Sequence, residues 1–109
     1  MAGKPVVCLD FDGVLAHYDG WKGELHLGKP LDGSLDFIRT HSRRYRFVIH
    51  TVREPRLVEQ WLSHHGFPAL PVMREKPKAI AYVDDRSIRF DGDWTALTEA
   101  LKEPPWWKK

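Results

Sequence analysis

Apolar and polar residues follow one another in blocks that have the lengths of short strands and helices. The first apolar block, residues 6–9, is continuous and β-branched at its start, which is typical of a strand buried on both faces. Further apolar runs predict a second strand within 45–51, a short third over 70–73, a fourth over 80–83 and a short fifth over 88–90.

Apolar residues at helical spacing predict three helices, over 34–42, over 55–65 and over 94–101. Ser34 is a suitable N-cap for the first helix, and Pro55 is a suitable first residue for the second. Trp61 and Trp94 lie on the apolar stripes of the second and third helices. We therefore expect both tryptophan side chains in the core.

Strands that alternate with helices predict an α/β domain around a mostly parallel sheet, and residues 1–109 form one domain. Residues 14–33 carry four glycines and predict a long ordered loop or flap with a small hairpin. The stretch between 73 and 80 is too short for a helical crossover between parallel strands. Either a bare loop makes that crossover, or the third strand is an irregular edge.

The composition fits a globular domain of 109 residues, with 42% hydrophobic and 29% charged residues. No apolar run is long enough to cross a bilayer, and the first residues lack the pattern of a signal peptide. Because Cys8 is the single cysteine, no intrachain disulfide can form. A reducing, cytoplasmic compartment is the natural expectation.

The net charge of +2 is too close to balance to predict a nucleic-acid-binding protein. One stretch is nevertheless strongly basic, with Arg39, Arg43, Arg44 and Arg46 close together. This stretch predicts a solvated helix end and turn, and the alternative is a contact with a phosphate backbone.

Polar residues follow three of the predicted strands at the point where each strand ends. Asp10 and Asp12 follow the first, Thr51 the second, and Asp84 and Asp85 the fourth. In open α/β sheets these carboxyl ends form the ligand site, so we expect the side chains to converge there. Neighbouring carboxylates repel one another unless a cation holds them, and a cluster of oxygen ligands suits Mg²⁺.

The motifs at these positions resemble those of the haloacid dehalogenase-like phosphohydrolase superfamily. The stretch DFDGVLA at 10–16 matches the first motif, Thr51 the second, a lysine at 76 or 78 the third, and VDD at 83–85 the fourth. KPKAIAYVDDR followed by FDGDW is similar to small capless members from phages and bacteria. The resemblance implies a three-layer Rossmann-like sandwich with a minimal cap or none.

The resemblance also implies a mechanism. Asp10 would attack phosphorus and form an aspartyl-phosphate, and Asp12 would first protonate the leaving oxygen and then activate water. Mg²⁺ would bind the carboxylates of Asp10 and Asp84 and the backbone carbonyl of Asp12. Asp85 would complete or orient this metal shell.

The remaining motif residues would bind the phosphoryl group. Thr51 would hydrogen-bond one of its oxygens, and Lys76 or Lys78 would neutralise its charge, with Lys76 preferred because it precedes a proline. Gly13 allows the sharp turn beside the substrate. Arg53 is either a phosphate contact or an exposed residue at a strand end.

The sequence therefore predicts a Mg²⁺-dependent phosphatase that hydrolyses a phosphomonoester carried by a small molecule, a nucleic acid or a protein. The alternative is a phosphate- or nucleic-acid-binding module without turnover, suggested by the basic stretch and by Trp106 and Trp107 in the tail 104–109. That tail could dock on the domain, form a homodimer contact or stack on bases. A phosphoacceptor receiver domain fits less well, because its acidic pair follows the first strand.

Overall fold

A parallel sheet of four short strands forms the centre of the computed structural model, which describes residues 3–103. The strands are β1 (Val6–Asp10), β2 (Arg46–His50), β3 (Val72–Met73) and β4 (Ala81–Val83). Their order is β3-β2-β1-β4, and every pairing is parallel. The prediction of an α/β domain around a parallel sheet is confirmed.

Three helices accompany the sheet: α1 (Ser34–His41), α2 (Pro55–His64) and α3 (Trp94–Ala100). They begin at the predicted residues and end within one or two residues of the predicted ends. Ser34 is the first helical residue of α1 rather than its cap, and Gly33 occupies the cap position with φ of 87°. A residue with a side chain would be strained in that conformation.

The main hydrophobic cluster lies on one face of the sheet. Val7 and Leu9 of β1 are in register with Phe47 and Ile49 of β2, so these four side chains point to the same side. Buried residues of α1 and α2 complete this cluster: Ile38, Val58, Trp61 and Leu62. Two consecutive right-handed crossovers in the same direction along a sheet place both helices on one face, as here.

The opposite face carries Cys8, Val48 and Tyr82, which are also in neighbouring registers. The segment 74–80 lies against this face, because the Tyr82 hydroxyl donates a hydrogen bond of 2.7 Å to the Pro77 carbonyl. Within residues 3–103, every buried helical residue belongs to the first face. The described chain therefore forms two layers, one of helices and one of sheet. The short segment 74–80 lies where the predicted third layer would be.

The bare segment 74–80 makes the crossover from β3 to β4, and β3 is a two-residue edge strand. Both alternatives drawn from the short spacing are thus realised. The two strands lie at opposite edges of the sheet, three strand spacings or roughly 14 Å apart. Seven extended residues reach roughly 23 Å, which is enough to cross the sheet. Because the strands are also short, the crossover needs no helix.

The loop 14–33 closes at its base as the predicted hairpin. An antiparallel bridge joins Ala16 to Pro30, and the Leu31 N–H donates to the Leu15 carbonyl at 2.7 Å. Gly28 passes so close to the His17 carbonyl that a Cβ at this position would overlap it. The loop contains no helix and no named strand, so it is a flap rather than a cap domain.

The C-terminal third departs most from the sequence predictions. Residues 88–90 form no strand, and no residue of α3 is buried. Trp61 is in the core as expected. The expectation for Trp94 is wrong, because Trp94 is 71% exposed. The tail 104–109 lies outside the described residues. Within 3–103, no helix has the length and apolar character needed to cross a membrane.

Candidate functional site

Three carboxylates converge where β1 and β4 end. Leu9 is paired with Val83, so the two strands finish side by side and bring Asp10 next to Asp84 and Asp85. One oxygen atom from each of these carboxylates lies within 4.8 Å of the others. The predicted convergence of these three residues is therefore present in the structure, and their all-oxygen donor set fits a hard cation such as Mg²⁺.

Gly13 shapes this cluster. Its φ is +88°, and a Cβ built at this position would overlap the carboxylate of Asp85. The chain can turn after Asp12 and still leave room for Asp85 only because residue 13 has no side chain.

Asp10 lies in an unfavourable electrostatic environment for a carboxylate. Burial, and then the charge of Asp84, raise the pKa of Asp10 from 3.8 to about 6, against the opposing effects of His50 and Arg86. The His50 Nδ1 atom is 3.4 Å from an Asp10 oxygen. Partial burial and the like charge of Asp84 therefore destabilise the ionised form of Asp10, which is what a bound cation would relieve.

His50 connects the Asp10 carboxylate to the backbone of the following segment. Its Nε2 atom lies 3.1 Å from the Arg74 carbonyl, which can only accept a hydrogen bond. Nε2 therefore carries a proton in this arrangement. A hydrogen bond between Nδ1 and Asp10 then needs one more proton, held by either the imidazole or the carboxyl group.

Lys76 lies beside this cluster, and Thr51 directly follows the end of the neighbouring strand β2. Thr51 is 2% exposed, and its hydroxyl oxygen accepts a hydrogen bond of 3.0 Å from the Arg53 N–H, which leaves its own proton to donate. Lys76 lines a small cavity of about 10 Å³ together with Asp10 and Asp84. Lys78 does not line that cavity, so the structure brings only Lys76 of the two predicted lysines to it.

Arg53 does not lie where a phosphate-binding residue would lie. Its side chain is 2% exposed, and its guanidinium donates to both oxygens of Asp12 at 2.9 and 3.2 Å. Its other N–H groups donate to three carbonyls of the flap, those of Gly23, Glu24 and His26. All five donors are used by protein groups, and the Trp21 ring lies 4.7 Å from the guanidinium carbon.

Arg53 thus fixes both Asp12 and the flap. A bidentate pair of this kind holds a carboxylate in a defined orientation. Asp12 is paired with Arg53 and does not belong to the group of three converging carboxylates.

Sequence reasoning predicted His50 as an exposed strand-end residue or a phosphate contact, and it missed both the contact of His50 with Asp10 and the partner of Arg53. The signal for His50 was available, because it ends β2 as Asp10 ends β1, and the two residues are in register. The contact between Arg53 and Asp12 joins residues 41 positions apart and has no local pattern. Only the path of the flap brings it about.

The basic stretch lies away from the candidate site. Arg46 begins β2 opposite Val6, whereas Thr51 follows the other end of that strand. A strand of five residues is roughly 16 Å long, so the stretch and the carboxylate cluster are at opposite ends of the sheet. Lys4 joins the basic end, where its ammonium group donates to the Ser42 carbonyl.

Comparison of the chain with family models, curated proteins and solved structures finds no match. The site is therefore interpreted from its own residues. Those residues define an acidic cluster at the carboxyl edge of a parallel sheet, with a lysine at its cavity and a buried threonine at the end of the neighbouring strand β2.

Proposed function

We propose that this protein is a Mg²⁺-dependent phosphatase of the haloacid dehalogenase-like type, which hydrolyses a phosphomonoester through an aspartyl-phosphate. The observation that carries the proposal is the convergence of Asp10, Asp84 and Asp85 at the end of β1 and β4. Lys76 lines the cavity beside two of these carboxylates, so the cluster combines metal ligands with an anion-binding cation.

The three carboxylates would hold Mg²⁺. The bound ion would offset the repulsion between them and would draw a phosphate oxygen into the site, which lets an anionic nucleophile approach an anionic ester. The raised pKa of Asp10 supports this assignment, because burial and the charge of Asp84 both disfavour its ionised form.

In the first step an Asp10 oxygen forms a bond to phosphorus, and the bond from phosphorus to the leaving oxygen breaks. The leaving oxygen takes a proton from Asp12, which lies two residues further on. Because Asp12 is paired with Arg53 in the structure, one of its oxygens has to leave that pair before it can carry and deliver the proton.

In the second step Asp12 takes a proton from water, and the water oxygen attacks the phosphorus of the aspartyl-phosphate. The bond between phosphorus and Asp10 breaks, which releases inorganic phosphate and restores both aspartates. Lys76 would balance the charge on the phosphoryl oxygens, and the Thr51 hydroxyl would donate a hydrogen bond to one of them.

Arg53 would act as a positioning residue rather than a phosphate ligand. All of its donors are already used by Asp12 and by carbonyls of the flap. It would set the orientation of Asp12 and keep the flap folded beside the site.

The test is hydrolysis of a generic aryl phosphate with and without Mg²⁺, by the wild type and by Asp10→Asn. We expect Mg²⁺-dependent release of phosphate by the wild type and a loss of at least about 10³-fold in Asp10→Asn, because the nucleophile is removed. Asp36→Asn, an exposed change on α1, is the matched control and should retain full activity. Acid quenching during turnover should also recover a phosphorylated protein from the wild type and Asp36→Asn but not from Asp10→Asn.

Equal activity in Asp10→Asn and the wild type would refute the nucleophile assignment. Binding of phosphorylated oligonucleotides without turnover of any phosphoester would favour the binding module instead. In that case the affinity would fall steeply with salt.

A further inference from the structure

Within the described residues, no helix covers the part of the first face that lies beside β4. In the strand order β3-β2-β1-β4, the buried residues of α2 and α1 cover the part of the first face that begins at β3. Next to α1, a groove of about 260 Å³ opens between Phe37 of α1, Leu9 of β1 and Val83 of β4. Leu9 and Val83 are in register and point to this same face.

The groove is apolar and exposed. Phe37 is 48% exposed and Val83 is 41% exposed, although strands of a parallel sheet are normally covered on both faces. The groove is larger than the roughly 150 Å³ cavity that accommodates benzene, so it has room for one large aromatic side chain.

Within residues 3–103, α3 is an amphipathic helix that has no buried residue. Trp94, Leu97 and Leu101 lie at positions i, i+3 and i+7 of α3 and its C-cap, which form one stripe on a helix. Trp94 is 71% exposed and Leu101 is 67% exposed. Phe90 packs on Trp94 with a distance of 4.6 Å between ring centroids, which extends the stripe.

Local hydrogen bonds shape the turns between β4 and α3. Asp84 accepts from the Arg86 N–H, Asp91 accepts from the Asp93 N–H, and Asp93 caps α3 by accepting from the Ala96 N–H. No residue of α3 lines the groove of its own chain. The radius of gyration of 15.1 Å exceeds the roughly 13 Å of a compact domain of this length.

We propose that the groove of each chain receives α3 of a second copy, with Trp94 inserted between Phe37 and Val83, so that the protein is a reciprocal dimer. Each chain carries one groove and one α3 helix. A two-fold axis therefore forms the same contact twice, as when two chains exchange a C-terminal element. This proposal does not depend on the proposed phosphatase activity.

The apolar area that a dimer would cover approaches that of a standard interface. Six side chains would be covered in each chain: Phe37, Val83, Ile88, Phe90, Trp94 and Leu101. At their present exposures they offer roughly 600 Å² of mostly apolar surface, at the upper end of the largest patch of a typical monomer. The floor of the groove adds to this area and brings it towards the roughly 800 Å² per partner of a standard interface.

The test is the mass of the protein in solution, measured by light scattering and by sedimentation equilibrium. We expect the wild type at 25.4 kDa, twice the 12.7 kDa of one chain, at concentrations of tens of micromolar. Trp94→Glu and Phe37→Glu should each raise the dimer Kd at least about 30-fold, because a buried aromatic anchor is replaced by a charge. Leu25→Glu, an equally drastic change at an exposed leucine of the flap, should leave the dimer intact.

Mixing the two variants distinguishes reciprocal exchange from other dimers. A heterodimer of Trp94→Glu with Phe37→Glu contains one intact groove-and-helix contact, so the mixture should associate more tightly than either variant alone. A monomeric wild type would overturn the proposal, and so would a dimer that Phe37→Glu leaves unchanged, since that result would indicate helix-on-helix contact. If Phe37→Glu fails to fold by circular dichroism, Val83→Lys on the edge strand tests the groove in its place.

Discussion

Asp10 combines two demands that oppose each other at the scale of a single residue. Its position at the end of β1 places it beside Asp84 and partly buries it, and both effects favour the protonated form. Its proposed role as nucleophile requires the ionised form. The same residue therefore should lower stability in the absence of a cation and provide reactivity in its presence.

Replacing Asp10 by Asn should stabilise the protein in EDTA at neutral pH. The pKa of Asp10 is about 6 in the folded chain and near 3.8 when unfolded, so the folded state binds more protons between those values. Stability of the wild type should fall as pH rises from 4 to 6, whereas Asp10→Asn lacks this loss. We expect the variant to be more stable by about 1–3 kcal/mol at pH 7.5 and equal to the wild type near pH 3.5, measured by urea unfolding.

The matched control is Asp36→Asn, whose stability should follow the wild type at both pH values. A destabilised Asp10→Asn at pH 7.5 would contradict the electrostatic description of the cluster.

Arg53→Lys should separate positioning from phosphate binding. Lysine retains the positive charge but cannot make the bidentate contact with Asp12 or reach the three flap carbonyls at once. We expect kcat to fall about 10- to 100-fold with KM nearly unchanged, measured on an aryl phosphate. A large rise in KM at constant kcat would show instead that Arg53 binds the phosphate.

At the scale of elements, the segment 74–80 performs two tasks. It crosses the sheet from β3 to β4. It also brings Lys76 over the face that carries Tyr82, where the ammonium group lies 4.7 Å from the centroid of the Tyr82 ring. A helical crossover between β3 and β4 would need more residues than 74–80 provide, and Lys76 would then lie on a helix rather than on an extended segment.

Two neighbouring lysines of this segment provide a matched pair of variants. Lys76→Ala should lower kcat/KM by about 10²-fold or more, because Lys76 lines the cavity beside Asp10, whereas Lys78→Ala should change it less than about 3-fold. The measurement is again steady-state hydrolysis of an aryl phosphate. The opposite ranking of the two variants would assign the motif lysine to position 78.

Features set by local pattern and by strand polarity could be predicted from the sequence. The ends of β1 and β4 meet because parallel neighbours in register must end together, and this alone brings Asp10 to Asp84 and Asp85. The exposure of Trp94 could not be predicted, because an amphipathic stripe indicates that a helix packs but does not say on which surface. The role of Arg53 depends on the path of the flap, which no periodicity encodes.

At the scale of the whole molecule, the acidic cluster should make stability depend on divalent cations. With a Kd near 1 mM, 10 mM Mg²⁺ would add about 1.4 kcal/mol to the free energy of unfolding and raise Tm by about 5 °C. Asp84→Asn keeps the oxygen that accepts from Arg86 but loses a charged ligand, so its Tm should respond far less. Thermal unfolding with NaCl at matched ionic strength is the control, and an equal response to both salts would exclude a specific site.

The order of strands in the sheet has a consequence for how the chain reaches its native state. β1 is central, and its contact with β4 joins Leu9 to Val83, a sequence separation of 74 residues (83 minus 9). Pairings between such distant segments pay a large loop-closure entropy and form slowly. The carboxylate cluster therefore assembles late, after the β1–β2 unit, and during synthesis it has to wait until the C-terminal third has left the ribosome.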